Sequence, residues 1–96
     1  MNINISGHNR EVDEKLKSYT LKKLKKLDNY SDYITSTHIT FRSDKLKHIA
    51  EGLIHVSGAE IHATSEHETS HGAMDGLIDR LIKQLKKHKE KNIGRR

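Results

Sequence analysis

The sequence of 96 residues has no cysteine, no proline and no tryptophan, and its aromatic side chains are one phenylalanine and three tyrosines. Without cysteine the chain can form neither a disulfide framework nor a thiolate metal site. It contains no apolar run near the roughly 20 residues that a membrane-spanning helix requires. Residues 1–4 lack the basic and apolar segments of a signal peptide. We therefore expect a cytoplasmic protein with no membrane partner.

The hydrophobic content of the chain is low. Leu, Ile, Val and Phe together supply 22 of the 96 residues, just above the share of roughly 20% below which a disordered chain is expected. The sequence therefore predicts one folded domain with a small core.

Basic residues outnumber acidic residues by 18 to 13, and the excess lies at the C-terminal end. Residues 80–96 contain eight basic residues and one acidic residue, whereas residues 34–79 contain three basic and seven acidic residues. A basic region joined to a weakly acidic one is typical of nucleic-acid-binding proteins. A lysine-rich helix can also be a merely well-solvated surface, so the charge pattern leaves both interpretations open.

Two hydrophobic periods alternate along the chain and predict its secondary structure. Apolar residues at every second position indicate strands, and apolar residues at steps of three and four indicate helices. We predict strands over 2–6, 33–43, 46–57 and 59–66, and helices over 13–29 and from residue 69 or 70 onward. The order β-α-β-β-β-α predicts an α+β fold in which two helices pack on one face of a four-stranded sheet.

Three histidines are predicted on the sheet face that points away from the helices. Gly58 and Ala59 are expected to form a two-residue turn, which places His55 directly opposite His62. His38 can join them from the neighbouring strand. Zinc requires three or four ligands whose orientation is fixed by further hydrogen bonds. We therefore interpret these histidines as a solvated polar face and predict no metal and no cofactor.

The sequence shows no pattern of a catalytic site. It lacks a nucleophile paired with a base and a glycine-rich phosphate loop. Asp75 and Asp79 lie one helical turn apart, which leaves a metal-dependent nuclease open as an alternative. We interpret the two carboxylates as an exposed helix face and predict no enzyme activity.

Helical wheels place the basic side chains of both helices along single flanks. In the first helix Lys15, Lys22 and Lys26 cluster on one flank, and Lys23 lies at the margin of the apolar stripe. In the last helix the flank carries Arg80, Lys83, Lys87 and Lys91. Two such rows on one face of a sheet are expected to line a shared groove that attracts phosphates. Because aromatic residues are scarce, we expect recognition of the RNA backbone and shape rather than base stacking.

Several segments of this chain resemble those of a known family. The resemblance is carried by the residues NISG at 4–7, KLKKL at 23–27, LIHV at 53–56, GAEIHA at 58–63 and, with the greatest specificity, AMDGLIDRLIKQLKKHK at 73–89. Together they resemble the short-form ribosome hibernation promoting factors, the family that includes ribosome-associated inhibitor A. One departure is His71-Gly72, where the family often has a tyrosine, and a glycine there weakens the first helical turn.

The resemblance implies a factor that binds the small ribosomal subunit at the decoding channel. It implies that the factor blocks mRNA and tRNA binding and, with ribosome modulation factor as a partner, promotes inactive ribosome dimers in stationary phase. It also implies basic contacts to rRNA from both helices. The helical wheels and the resemblance together predict nine rRNA-binding residues: Lys22, Lys23, Lys26, Arg80, Lys83, Lys86, Lys87, Lys89 and Lys91. Lys86 and Lys89 rest on the resemblance alone.

The resemblance divides the chain into a ribosome-binding domain over 1–91 and a short basic tail over 92–96. Because the chain ends soon after the matching region, the short form is expected, and the protein is expected to be monomeric off the ribosome. A generic double-stranded-RNA-binding module is the alternative, since it also places two helices on one face of a sheet. Such a module does not need the leading strand at 2–6.

Overall fold

The computed structural model describes residues 2–93, with side chains through residue 89. Its elements follow the predicted order β-α-β-β-β-α. Within the described residues, no helix has the length and apolar character that a membrane crossing requires. The elements are β1 (Asn2–Gly7), α1 (Glu14–Leu24), a 3₁₀ helix (Lys25–Tyr30), β2 (Ile34–Asp44), β3 (Lys47–Val56), β4 (Ala59–His67) and α2 (Ser70–Ile93).

The four strands form one mixed sheet in the order β1-β2-β3-β4. Strand β1 pairs in parallel with β2, while β2, β3 and β4 form an antiparallel meander. A parallel pair requires a crossover connection, and α1 with the 3₁₀ helix supplies it. Strand β4 is therefore at one edge of the sheet, where α2 packs against it.

The core lies between the sheet and the two helices. Alternate residues of the strands face the helices, as the sequence predicts, and Ile39, Phe41 and Ile54 are fully buried there. Leu77 and Leu81 of α2 are equally buried. Each such side chain contributes about 1.5–3 kcal/mol through burial, which makes this layer the main source of stability in a lean domain.

The first helix is shorter than the predicted range of 13–29. Asp13 is the N-cap, because its carboxylate accepts a hydrogen bond from the Leu16 amide at 2.8 Å. The α-helix ends at Leu24 and continues as a 3₁₀ helix. Side chains three residues apart eclipse each other in a 3₁₀ helix, so Leu24 and Leu27 point to the same core and are both fully buried.

The predicted turn at Gly58 and Ala59 is wrong. Val56 pairs with Ala59, so the two turn residues are Ser57 and Gly58. Gly58 has a φ of 79°, a conformation that glycine adopts without strain. The hairpin register therefore differs from the predicted one by two residues.

Helix α2 crosses the predicted domain boundary at residue 91 and continues to Ile93. Residues 94–96 of the predicted tail lie outside the described residues, so the tail stays a prediction. At the other end of α2, Gly72 has a steric role, because a Cβ there would collide with the His67 ring. The glycine that weakens the helix thus leaves room for the His67 ring beside the first turn of α2.

Candidate nucleic-acid interface

Most of the sequence-predicted rRNA-binding residues are exposed. Lys23 is the exception, since its side chain is 25% exposed and is held by a carboxylate. The side chain of Lys91 lies outside the described residues. Those exposed to solvent are Lys22, Lys26, Arg80, Lys83, Lys86, Lys87 and Lys89.

The basic row of α2 lies beside the edge strand β4. Arg80, Lys83 and Lys87 line a depression of about 290 Å³, together with Ala63 and Thr64 of β4. Three cations around one concave surface create a local positive potential that attracts anions. This part of the surface, which we call the edge row, is the strongest candidate for phosphate binding.

Two side chains of α2 bind the main chain of β4. Arg80 donates from Nη1 to the Thr64 carbonyl, and Gln84 donates from Nε2 to the His62 carbonyl at 2.7 Å. Four helical residues advance about 6 Å, and two strand residues advance about 6.8 Å, so the two pairs match in spacing. An edge strand exposes unpaired main-chain groups, and these contacts occupy two of them. They also hold the Arg80 guanidinium over the depression.

The basic flank of α1 lies against the beginning of α2. Lys15 and Lys22 line a second depression, of about 420 Å³, together with Tyr19 of α1 and His71 of α2. The rings of Tyr19 and His71 are in contact, with centroids 4.4 Å apart. The half-buried Tyr19 ring thus lies beneath the lysines of α1.

A carboxylate of α2 joins the two helices. Asp75 Oδ1 accepts a hydrogen bond from the Tyr19 hydroxyl at 2.6 Å and lies 3.3 Å from Lys23 Nζ. The Tyr19 hydrogen bond, followed by the charges of Lys23 and Lys26, lowers the pKa of Asp75. The same contact with Asp75 raises the pKa of Lys23 and of Tyr19. We call Tyr19, Lys23 and Asp75 the helix lock.

The expected groove between two facing basic rows is wrong. The edge row lies on the side of α2 next to β4. The helix lock joins the other helix, α1, to the side of α2 that faces it, and Lys22 of α1 lies there too. Helix α2 therefore separates the two rows. The wheels predict Arg80, Lys83 and Lys87 on one flank of α2, as the structure has them, but wheels carry no information on how one helix is rotated relative to the other.

Two further residues rested on the resemblance alone. Lys89 Nζ lies 5.8 Å from the centroid of the Tyr30 ring, so it packs near the junction of α2 with the 3₁₀ helix. Lys86 is exposed, and the wheel places it on the outer side of α2. Both side chains can therefore reach a ligand that covers the helical layer.

The sheet histidines are not arranged as predicted. His55 is opposite Glu60, with Nδ1 3.8 Å from the carboxylate, and His62 is opposite Leu53. His38 lies edge-on to His55, with ring centroids 5.7 Å apart. Among the described residues, no three His, Cys, Asp or Glu side chains are grouped so that they could hold a metal ion.

Sequence reasoning missed the helix lock and the β4 contacts. The sequence pattern indicates an exposed carboxylate at Asp75, whereas in the structure Asp75 accepts a hydrogen bond from Tyr19, which is 56 residues away in the sequence. Thr64 and Gln84 carried no signal, because a hydrogen bond between a side chain and a distant carbonyl leaves no local pattern. A basic residue near an apolar stripe, such as Lys23, is the signal that could have indicated a partner.

Comparison with known proteins assigns the chain to a family. The family model described as sigma 54 modulation protein / S30EA ribosomal protein matches residues 3–93. The chain belongs to this family. The match covers every strand and helix except the first residue of β1.

Relatives within the S30EA family are similar over nearly their whole length. The ribosome hibernation promoting factor of Azotobacter vinelandii is 45% identical over 95 residues, which are 99% of this chain and 89% of that protein. That of Salmonella typhimurium is 41% identical over 95% of this chain and 96% of the relative. A ribosomal subunit interface protein from Coxiella burnetii has a similar structure, with a TM-score of 0.88, 31% identity and coverage of 93% and 98% of the two chains. The predicted resemblance and fold class are confirmed.

Proposed function

We propose that this S30EA family protein is a ribosome hibernation factor that binds rRNA of the small subunit at the decoding channel. There it blocks mRNA and tRNA binding and promotes inactive ribosome dimers in stationary phase. The observation that carries the proposal is the edge row, Arg80, Lys83 and Lys87, around one depression beside β4. The names of the relatives, which refer to ribosome hibernation and to the ribosomal subunit interface, support it.

The chemistry of the surface favours recognition of the RNA backbone. Lysine and arginine side chains bind phosphates and release counterions. Phe41 is buried, and Tyr19, Tyr30 and Tyr33 are half-buried, so the described residues present no fully exposed aromatic platform for stacked bases. The bound RNA is therefore selected by its shape and by the path of its phosphates.

The proposal includes the setting in which the protein acts. It is cytoplasmic, monomeric off the ribosome and active through occupancy rather than catalysis. Residues 1–91, which include Lys91, form the ribosome-binding domain, and residues 92–96 form a short basic tail. Ribosome modulation factor is the proposed partner in forming ribosome dimers.

Sedimentation with ribosomes tests the proposal. The purified protein is centrifuged with vacant small subunits, and again after the subunits have been filled with mRNA and tRNA. Binding to vacant subunits and its loss on filled subunits are the expected results, because the proposed site overlaps both ligands. Protein that stays at the top of the gradient with vacant subunits at moderate salt would contradict it.

A competition arm separates the proposal from a generic duplex-RNA-binding module. Plain A-form duplex RNA is added as a competitor to the complex with small subunits. A module that reads duplex shape should bind this competitor at least as well as the ribosome. A hibernation factor should remain on the small subunit at a comparable concentration of duplex nucleotides.

A further inference from the structure

Asp75 places a negative charge among the basic side chains of the two helices. It is on the side of α2 that faces α1, and its side chain is 48% exposed. By Coulomb's law alone this charge weakens the attraction of the surface for RNA, and Lys26 is close enough to affect its pKa. The carboxylate therefore needs a structural explanation.

The contacts of Asp75 all reach back to α1. Its Oδ1 accepts the Tyr19 hydroxyl at 2.6 Å and lies 3.3 Å from Lys23 Nζ. Tyr19 and Lys23 are one helical turn apart, so a single carboxylate binds one side of α1. Lys23 Nζ also lies 5.4 Å from the Tyr19 ring centroid, and the ring packs on His71.

These contacts occupy the ammonium group of Lys23. A phosphate at Lys23 would have to share the three N–H donors of this ammonium group with the Asp75 carboxylate. Lys22 and Lys26, by contrast, are exposed. The resemblance groups Lys23 with the rRNA contacts, but its contacts with Asp75 and Tyr19 indicate a structural role between the two helices.

We propose that Asp75 is a positioning residue of the RNA-binding surface, which fixes α1 against α2 through Tyr19 and Lys23. Lys23 then acts through Asp75 and not on a phosphate. The proposal rests on the proposed function and divides the basic residues into those that touch RNA and one that aligns them. Positioning matters here because separate rows on two helices must match one rigid rRNA surface.

The substitution Tyr19→Phe tests the proposal without changing any charge. It keeps the ring and removes the hydroxyl that binds Asp75. If the helix lock positions α1, the affinity for vacant small subunits falls by about twofold or more, since about twofold is the lower end of the range expected for coupling between residues in contact. If charge alone governs binding, the affinity is unchanged.

Asp75→Asn and Asp79→Asn form a matched pair in which the two interpretations give opposite signs. Asp79 is one turn further along α2, is exposed, and makes no hydrogen bond or ion pair among the described residues. Both variants remove one negative charge from the same helix. Asp79→Asn should bind RNA at least as tightly as the wild type, whereas Asp75→Asn should bind less tightly.

Lys23→Met tests whether Lys23 binds a phosphate, because a purely structural role leaves the salt dependence of binding unchanged. The slope of log K against log salt is negative, and the loss of one phosphate contact makes it shallower by about 0.7–0.9. For Lys23→Met we expect a lower affinity with an unchanged slope. A parallel Lys26→Met variant should give a shallower slope. Circular dichroism at the assay temperature confirms that each variant is folded.

The outcomes separate the two proposals. Absence of wild-type binding to small subunits would overturn the proposed function and the positioning role together. Wild-type binding, with Tyr19→Phe and Asp75→Asn at or above wild-type affinity, would overturn the positioning role alone. A reduced salt slope for Lys23→Met would return Lys23 to the phosphate contacts and also overturn it.

Discussion

Reversing the charge of Arg80 and Lys83 should abolish most ribosome binding at a modest cost in stability. Both side chains are exposed and line the depression beside β4. The double variant Arg80→Glu/Lys83→Glu replaces two cations that we propose to bind phosphates with two carboxylates. It leaves the buried face of α2 unchanged, because Leu81 and Leu85 keep their positions in the core.

The expected loss of affinity follows from counterion release. Each phosphate contact contributes a slope of about 0.7–0.9 in log K against log salt, which is about fivefold to eightfold in affinity at 0.1 M salt relative to 1 M. Losing two contacts therefore weakens binding by about 25-fold to 60-fold, and repulsion by the new carboxylates adds to this.

The cost in stability comes mainly from one hydrogen bond. Arg80 donates to the Thr64 carbonyl, and its loss costs about 0.5–1.5 kcal/mol. Lys83 makes no hydrogen bond or ion pair in the described part of the chain. A loss of about 1 kcal/mol lowers the melting temperature of a domain of this size by about 4–8 °C, so the variant should be folded at 25 °C.

The assay combines binding to small subunits, inhibition of translation and a thermal melt by circular dichroism. The control is His55→Gln/His62→Gln, which changes the sheet face away from the helices. The helix variant should lose inhibition and the sheet variant should retain it. A folded helix variant that binds within about twofold of the wild type would refute the assignment of the edge row.

Three further predictions follow from single features of the structure. A titration of small-subunit binding with salt should give a slope of log K against log salt of about −3.5 to −4.5, if five residues each bind one phosphate: Lys22, Lys26, Arg80, Lys83 and Lys87. A slope near zero would contradict these contacts. Because the folded-state pKa of Asp75 is lowered, chiefly by the Tyr19 hydrogen bond, its stabilising effect is complete above its ordinary pKa and is lost as the pH falls through the lowered one. Denaturant unfolding between about pH 5 and pH 2 should therefore show a smaller loss of stability for Asp75→Asn than for the wild type. Gly76→Ala should destabilise the protein by about 1–3 kcal/mol, since a Cβ there would collide with Ser65 Oγ; a gain of stability, as expected from helix propensity alone, would contradict this.

The sequence alone determined the order of the elements and the direction of their buried faces. Alternation in β2 and β3 and helical spacing in α2 are patterns among near neighbours, so Ile39, Ile54 and Leu77 could be assigned to the core without a structure. The same local geometry placed the edge row on one flank of α2. The resemblance of residues 73–89 to a known family was likewise a property of the sequence.

The tertiary structure decided what depends on the relation between distant segments. A register shift of two residues keeps every side chain on its own face, so the hydrophobic pattern could not distinguish Glu60 from His62 as the partner of His55. The rotation of α2 relative to α1 is set by packing, and it separates the two basic rows. The partners of Asp75 and Arg80 depend on this same packing, because Tyr19 and Thr64 are brought to them by the fold and not by the sequence.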